Sequence, residues 1–217
     1  MELKGKKIAF LGDSITEGVG VSCEENTFWN MLGRQTGAEV YGYGISGTRI
    51  ADQQNPDPEV ASDRYFASRV NEMIPDADIV VVFGGTNDYG HGDAPLGCMT
   101  DRRDDTFYGA CHLLIQRLIN RYPEAQLVFM TPLHRLEEER VDEACTANSR
   151  RSLKRYVEII REVAEFYGVV FVDLFATCQI QPGVPVSKEK YMPDGLHPND
   201  AGHQLIANRL YSVLNAL

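Results

Sequence analysis

The sequence predicts an α/β fold, a five-stranded parallel sheet with helices on both faces. Three observations carry this. Five short apolar runs alternate with segments of helical periodicity. Two of the runs, DIVVVFG (78–84) and VVFVDL (169–174), are almost continuously apolar, as strands covered on both faces are. Polar clusters follow the runs, which in such a sheet places them at the carboxyl ends of the strands, where ligands bind.

The first strand is KIAFL (7–11), and GDSIT after it reads as a strand-to-helix turn. The second, AEVYGY (38–43), leads into GISGT, and the third ends in GGTND. From 104 to 121, Phe107, Cys111, Leu114 and Leu118 recur at the three- and four-residue spacing of one helix face, before Tyr122-Pro123. The fourth strand, QLVFMT (126–131), leads into PLHR. From 148 to 167, Leu153, Val157, Ile160, Ala164 and Tyr167 form a second helical stripe, with Gly168 as its stop. The fifth strand is followed, past a loop, by PDGLHPND. A last helix begins with Asn199 or Asp200 as N-cap and carries Leu205, Ile206, Leu210 and Val213 on its apolar face. QQNPDPE (53–59) and the stretch 88–106 are the longest irregular segments.

A chain of 217 residues, 43% hydrophobic, suits one domain spanning 1–217. With 21 basic and 31 acidic residues its formal charge is −10, which disfavours nucleic acid and anionic membrane as partners. No apolar run approaches the ~20 residues that span a bilayer. The start has only four consecutive apolar residues before Gly12, too short for a signal-peptide core. Cys23, Cys98, Cys111, Cys145 and Cys178 are odd in number, scattered and without a CxxC, so they read as reduced thiols in a cytoplasmic protein.

Gly42-x-Gly44-x-x-Gly47 matches the dinucleotide-binding fingerprint as a pattern. That motif requires a helix opening on the last glycine and an acidic residue at the next strand tip. TRIADQQNPDPE, with Pro56 and Pro58, makes a poor helix, and the next strand ends in FGGTND. The glycines are better explained by a tight turn, and no cofactor is expected.

The clusters suit a different chemistry. A serine hydroxyl becomes a nucleophile when a histidine takes its proton, and that histidine needs a carboxylate on its other nitrogen. Ser14, His197 and Asp194 supply the three groups. Attack on an ester places negative charge on the carbonyl oxygen, for which the Ser14 N–H, the Gly47 N–H and the Asn87 amide are donors. Asp13 is assigned to holding the turn. His134, Arg135, Arg49, Tyr89 and His91 are candidates for substrate contact, with Asp93 at the same rim. His91 and Asp93 have no second pair at metal-ligand spacing, so no metal is expected. His112 reads as a packed histidine, His203 as a surface residue, and the acidic run 136–144 as a solvated face.

GDSIT with Ser14, GISG with Gly47, GGTND with Asn87 and DGLHPN with Asp194 and His197 together resemble the SGNH hydrolases, the GDSL-type esterases and lipases. The motifs run from residue 12 to 199. The resemblance implies a flavodoxin-like three-layer α/β/α sandwich of five parallel strands. It also implies metal-independent ester hydrolysis through an acyl-serine, with Ser14, Gly47 and Asn87 as oxyanion hole. Two positions depart from the pattern: Ile15 replaces a leucine, and Gly42 stands where relatives commonly have asparagine. The expected substrate is a short acyl ester, such as an O-acetyl group on a sugar. The alternatives are a lysophospholipase or thioesterase for longer chains and, from another class, a non-catalytic carbohydrate-binding module.

Overall fold

The computed structural model describes residues 2–57, 59–140 and 151–217. Strand β1 (Lys7–Gly12) runs into helix α1 (Ser14–Glu17), and α2 (Phe28–Thr36) leads to β2 (Glu39–Gly44). A long connection containing α3 (Phe66–Arg69) returns the chain to β3 (Ile79–Phe83), which is followed by α4 (Thr86–His91) and α5 (Phe107–Arg121). Then come β4 (Gln126–Met130), α6 (Leu153–Tyr167) and β5 (Val170–Val172). The short helices α7 (Leu174–Thr177) and α8 (Pro185–Tyr191) precede α9 (Asp200–Ala216).

All strand pairs are parallel, in the order β2-β1-β3-β4-β5. This is the flavodoxin-like, doubly wound order, whose crevice opens where the winding reverses between β1 and β3. Alternate side chains of each central strand enter opposite cores. Ile8, Phe10, Ile79, Val81, Val128 and Met130 pack with Phe28 and Leu32 of α2 and Ile206, Leu210 and Leu214 of α9. Ala9, Leu11, Val80, Val82, Leu127 and Phe129 face Phe66 of α3, Leu114 of α5 and Ile160 of α6. Such two-sided burial makes the central strands read as unbroken apolar runs, and each fully buried Leu, Ile or Phe contributes about 1.5–3 kcal/mol.

The helix boundaries follow the caps. The Thr106 side chain accepts from Gly109 N at the start of α5, and Asn199 accepts from Gly202 N at the start of α9. Helix α6 begins after Ser152; residues 148–150, along with Cys145, Pro58 and the 141–144 part of the acidic run, lie outside the described residues. Within that run Glu138 is half-buried.

Four expectations are corrected. The fifth strand is an edge of the sheet, only three residues long, and Phe171 is 40% exposed on it. Its apolar run is therefore not covered on both faces. Residues 88–91 are helical, belonging to α4. The buried face of α9 uses Leu214, with Val213 and Leu205 only half-buried. His203 is fully buried and not on the surface: its Nδ1 accepts from Phe28 N at 3.0 Å and its ring stacks on Phe28. The polar letter misled because one backbone N–H at the start of α2 needs an acceptor there. His112 is buried as expected, with its Nδ1 3.1 Å from the Tyr167 hydroxyl.

Burial pushes the His203 imidazole down to about 4. An unfolded chain holds it near ~6.5, so between those values the unfolded state binds the extra proton and stability falls as pH is lowered. The melting temperature of the wild type, relative to that of His203→Phe, should therefore drop between pH 6.5 and pH 4. A pH-independent difference would contradict a neutral, buried His203.

Candidate active site

The backbone places the site at the carboxyl edge of the sheet. β1 ends at Gly12, and the Asp13 carboxylate turns the chain by accepting from Ile15 N at 3.0 Å, so Ser14 opens α1. Asp13 is 1% exposed, and burial raises its pKa to about 7. It holds the turn, as its position in the sequence suggested.

His197 reaches this serine from the other end of the chain, its Nε2 3.1 Å from Ser14 Oγ. Its Nδ1 lies 2.7 Å from Asp194 Oδ2. The other Asp194 oxygen accepts from the backbone N–H groups of Leu196 (2.8 Å) and His197 (2.7 Å). Burial works to raise the Asp194 pKa, but the hydrogen bonds from His197 N, Leu196 N and the imidazole together bring it below the ordinary carboxylate range. The aspartate thus fixes the imidazole orientation: Nδ1 carries a proton toward Oδ2, leaving Nε2 to accept from the serine hydroxyl.

The loop after β2 is the third component. Gly47 sits at φ +78, and an added Cβ would come 2.9 Å from Ser62 Cβ, so the position takes only glycine without strain. No acceptor among the described residues takes the Gly47 N–H. Asn87, 5% exposed, donates from Nδ2 to Thr48 O at 3.1 Å, which orients the amide and leaves its second N–H for another acceptor. Its neighbour Asp88 grips the same loop, accepting from Ile50 N (3.0 Å) and Ala51 N (2.9 Å). Burial raises Asp88 to about 6. From the sheet side, Arg69 donates to Gly12 O (2.8 Å), Tyr43 O (3.0 Å) and Thr48 Oγ1 (3.1 Å). Gly42 has a local reason: a Cβ there would lie 2.6 Å from the Trp29 ring, whose Nε1 donates to Thr16 O.

The expected substrate contacts divide. Arg49 (6% exposed) pairs with Asp63 at 2.6 Å and donates to His91 Nδ1 at 2.9 Å. Tyr89 (3% exposed) packs edge-on against Tyr156 and hydrogen-bonds Glu137 O. Those two side chains are committed inside the protein and do not line the open rim. His91 and Asp93 are exposed, Asp93 accepting from Gln54 N at 3.0 Å. Partial desolvation of the ring by its neighbours, with the Arg49 and Arg135 charges, keeps the His91 pKa below its usual value although part of the residue reaches solvent. His134 stacks on Phe175 and lies 2.9 Å from the Glu138 carboxylate, and Arg135 donates to Thr86 O at 3.1 Å. Among the described residues no three His, Cys, Asp or Glu side chains cluster to hold a metal. No described helix is long and apolar enough to cross a membrane.

Asp88 and Arg69 escaped the sequence reading. Asp88 reads as half of an Asn-Asp turn pair, and no motif or spacing singles out Arg69; only the fold shows both buried.

The chain also has known counterparts. The model of the GDSL-like Lipase/Acylhydrolase family matches residues 10–205. A GDSL lipase of Mycobacterium tuberculosis is 27% identical over 216 residues, covering 96% of this chain and 81% of that protein. A solved Lactobacillus plantarum protein is 30% identical with a TM-score of 0.82, covering 98% of each chain. An acetyl xylan esterase, AlAXEase, is 25% identical with a TM-score of 0.66, covering 96% of this chain and 99% of that one.

An asparagine at 88 would keep one acceptor and turn an NH₂ toward a backbone N–H. Asp88→Asn should therefore lower stability by about 1–3 kcal/mol, the cost of an unsatisfied buried donor. Urea unfolding at pH 7.5 checks this, and an unchanged midpoint would remove Asp88 as the clamp of the 45–51 loop.

Proposed function

The chain belongs to the GDSL-like lipase/acylhydrolase family and is an ester-hydrolysing enzyme; from that premise we propose that it is a serine esterase for short acyl esters, with an O-acetyl group on a carbohydrate as the leading substrate. One observation carries the mechanism: the unbroken hydrogen-bond chain from Asp194 through His197 to Ser14. His197 Nε2 takes the Ser14 proton as Oγ bonds to the ester carbonyl carbon, and the C=O pair moves onto oxygen. The Ser14 and Gly47 N–H groups and the Asn87 amide stabilise that oxyanion. Collapse breaks the bond to the alcohol oxygen, which leaves with the proton from His197. Water, deprotonated by the same nitrogen, then attacks the acyl-serine, and the acid departs as Ser14 regains its proton.

The short-acyl reading is supported by where the apolar rim residues go. APLGCM (94–99) is the main apolar stretch near the site, yet Ala94, Leu96 and Met99 pack onto the core. Leu96 O and Pro95 O accept from Tyr108 N (3.0 Å) and Phe107 N (2.9 Å), which fastens the segment to α5. Long acyl chains need a continuous dry groove, each buried CH₂ contributing only about 0.8 kcal/mol. The acetyl xylan esterase named above is compatible with the same reading.

Hydrolysis of p-nitrophenyl acetate should be abolished in Ser14→Ala while the melting temperature stays close to that of the wild type. Wild-type turnover retained in that variant would refute the nucleophile assignment; a wild type without turnover would favour the carbohydrate-binding alternative.

Across p-nitrophenyl esters from two to twelve carbons, kcat/KM should be highest for the shortest chains. A steady rise with length would replace this reading with a lysophospholipase or thioesterase.

A further inference from the structure

Arg69 is anomalous for a buried charge. It is 2% exposed, yet among the described residues it forms no ion pair with a carboxylate. Its guanidinium is spent on two backbone carbonyls and one hydroxyl, its Nε has no partner among the described residues, and its remaining face lies over the Phe66 ring at 5.1 Å. Burying a cation this way is costly, and a neutral apolar residue of similar volume would avoid the cost. Desolvation is strong enough to lower its pKa to about 10.

The acceptors explain the arrangement. Gly12 O is the last carbonyl of β1, two residues before Ser14, and it also accepts from Ile45 N at 3.2 Å. Tyr43 O lies at the end of β2. Thr48 follows Gly47 directly, and its hydroxyl donates to Ile45 O at 2.7 Å. One planar cation therefore binds the end of the nucleophile strand, the end of β2 and the glycine loop. No lysine has the fork to hold three acceptors in fixed directions. Resting on the esterase reading above, we infer that Arg69 is a positioning residue, which sets the distance between Ser14 and the Gly47 N–H through Gly12 O and Thr48 Oγ1. It touches no substrate. Its charge contributes by orienting the backbone that stabilises the oxyanion, and the catalytic return offsets the burial of an unpaired cation.

The test uses Arg69→Met and Arg69→Lys in the full chain. Arg69→Met should lower kcat for p-nitrophenyl acetate about 10- to 100-fold, as small misplacements of catalytic groups do, with KM changed less than threefold. Arg69→Lys should recover part of that loss. In a double-mutant cycle with Asn87→Ala, which anchors the same loop through Thr48 O, the two losses should combine to less than their product. Hydrogen exchange, read independently of turnover, should speed up at amides 45–51 in Arg69→Met before it does in α5 or α9. If Arg69→Met does not fold, Arg69→Lys carries the same kcat-against-KM and exchange comparisons. Leu118→Ala, a fully buried α5 variant that destabilises the core away from the loop, should keep its kcat. Unchanged kcat, a pure KM effect, fully multiplicative losses or unaltered exchange at 45–51 would each overturn the inference. A wild type that hydrolyses no ester would refute the esterase reading while the exchange result still decides whether Arg69 holds the loop.

Discussion

The proposed oxyanion side of the site depends on the short loop 45–51 staying in one conformation. It carries Gly47 in a left-handed turn and cannot hold itself there, because a few residues fixed in irregular dihedrals cost about 1–2 kcal/mol each in backbone entropy. The fold supplies the restraint from three directions. Asn87 takes Thr48 O, Asp88 takes the N–H groups of Ile50 and Ala51, and Arg69 takes the Thr48 hydroxyl. Ser46 N adds a fourth tie, to the Glu17 carboxylate at the end of α1 at 2.7 Å. Two of these partners are buried ionisable groups, so the loop is held by interactions that water does not weaken.

The parallel sheet turns those local ties into a site. Register sets Gly12 beside Gly44 and Phe83, so the strands that precede Ser14, Gly47 and Asn87 end level with one another. Groups separated by up to 73 residues in sequence then lie on one edge. His197 comes from the far end of the chain, on the turn just before α9. That helix is anchored by its own apolar face and by His203, whose bond to Phe28 N connects the histidine end of the chain to α2. Packing in one core thus helps set the 3.1 Å distance between His197 Nε2 and Ser14 Oγ at the candidate site.

Much of this was legible in the sequence because the physics there is local or periodic. The central strands show as apolar runs since both faces are covered, and GDS shows as a cap since Asp13 does cap α1. The polar clusters could be brought together by strand order alone. What stayed hidden depends on which side of an element meets protein. Phe171 looks like its neighbours but lies on an edge strand; His203 and Arg69 look like surface residues but serve backbone groups that only the folded chain brings near. Arg49 and Tyr89 stand beside motif residues, yet Asp63 and Tyr156 draw their side chains inward. A polar residue's partner is not encoded in its own neighbourhood, and so neither is its role.

The central claim is that Ser14 is a nucleophile activated by His197. Labelling with a fluorophosphonate, followed by intact-mass and peptide analysis, addresses it directly. One covalent adduct is expected, on Ser14, formed at a rate that falls at least ~100-fold in His197→Ala, in line with what a general base contributes. An adduct on another residue, or labelling of Ser14 at the same rate without His197, would contradict it.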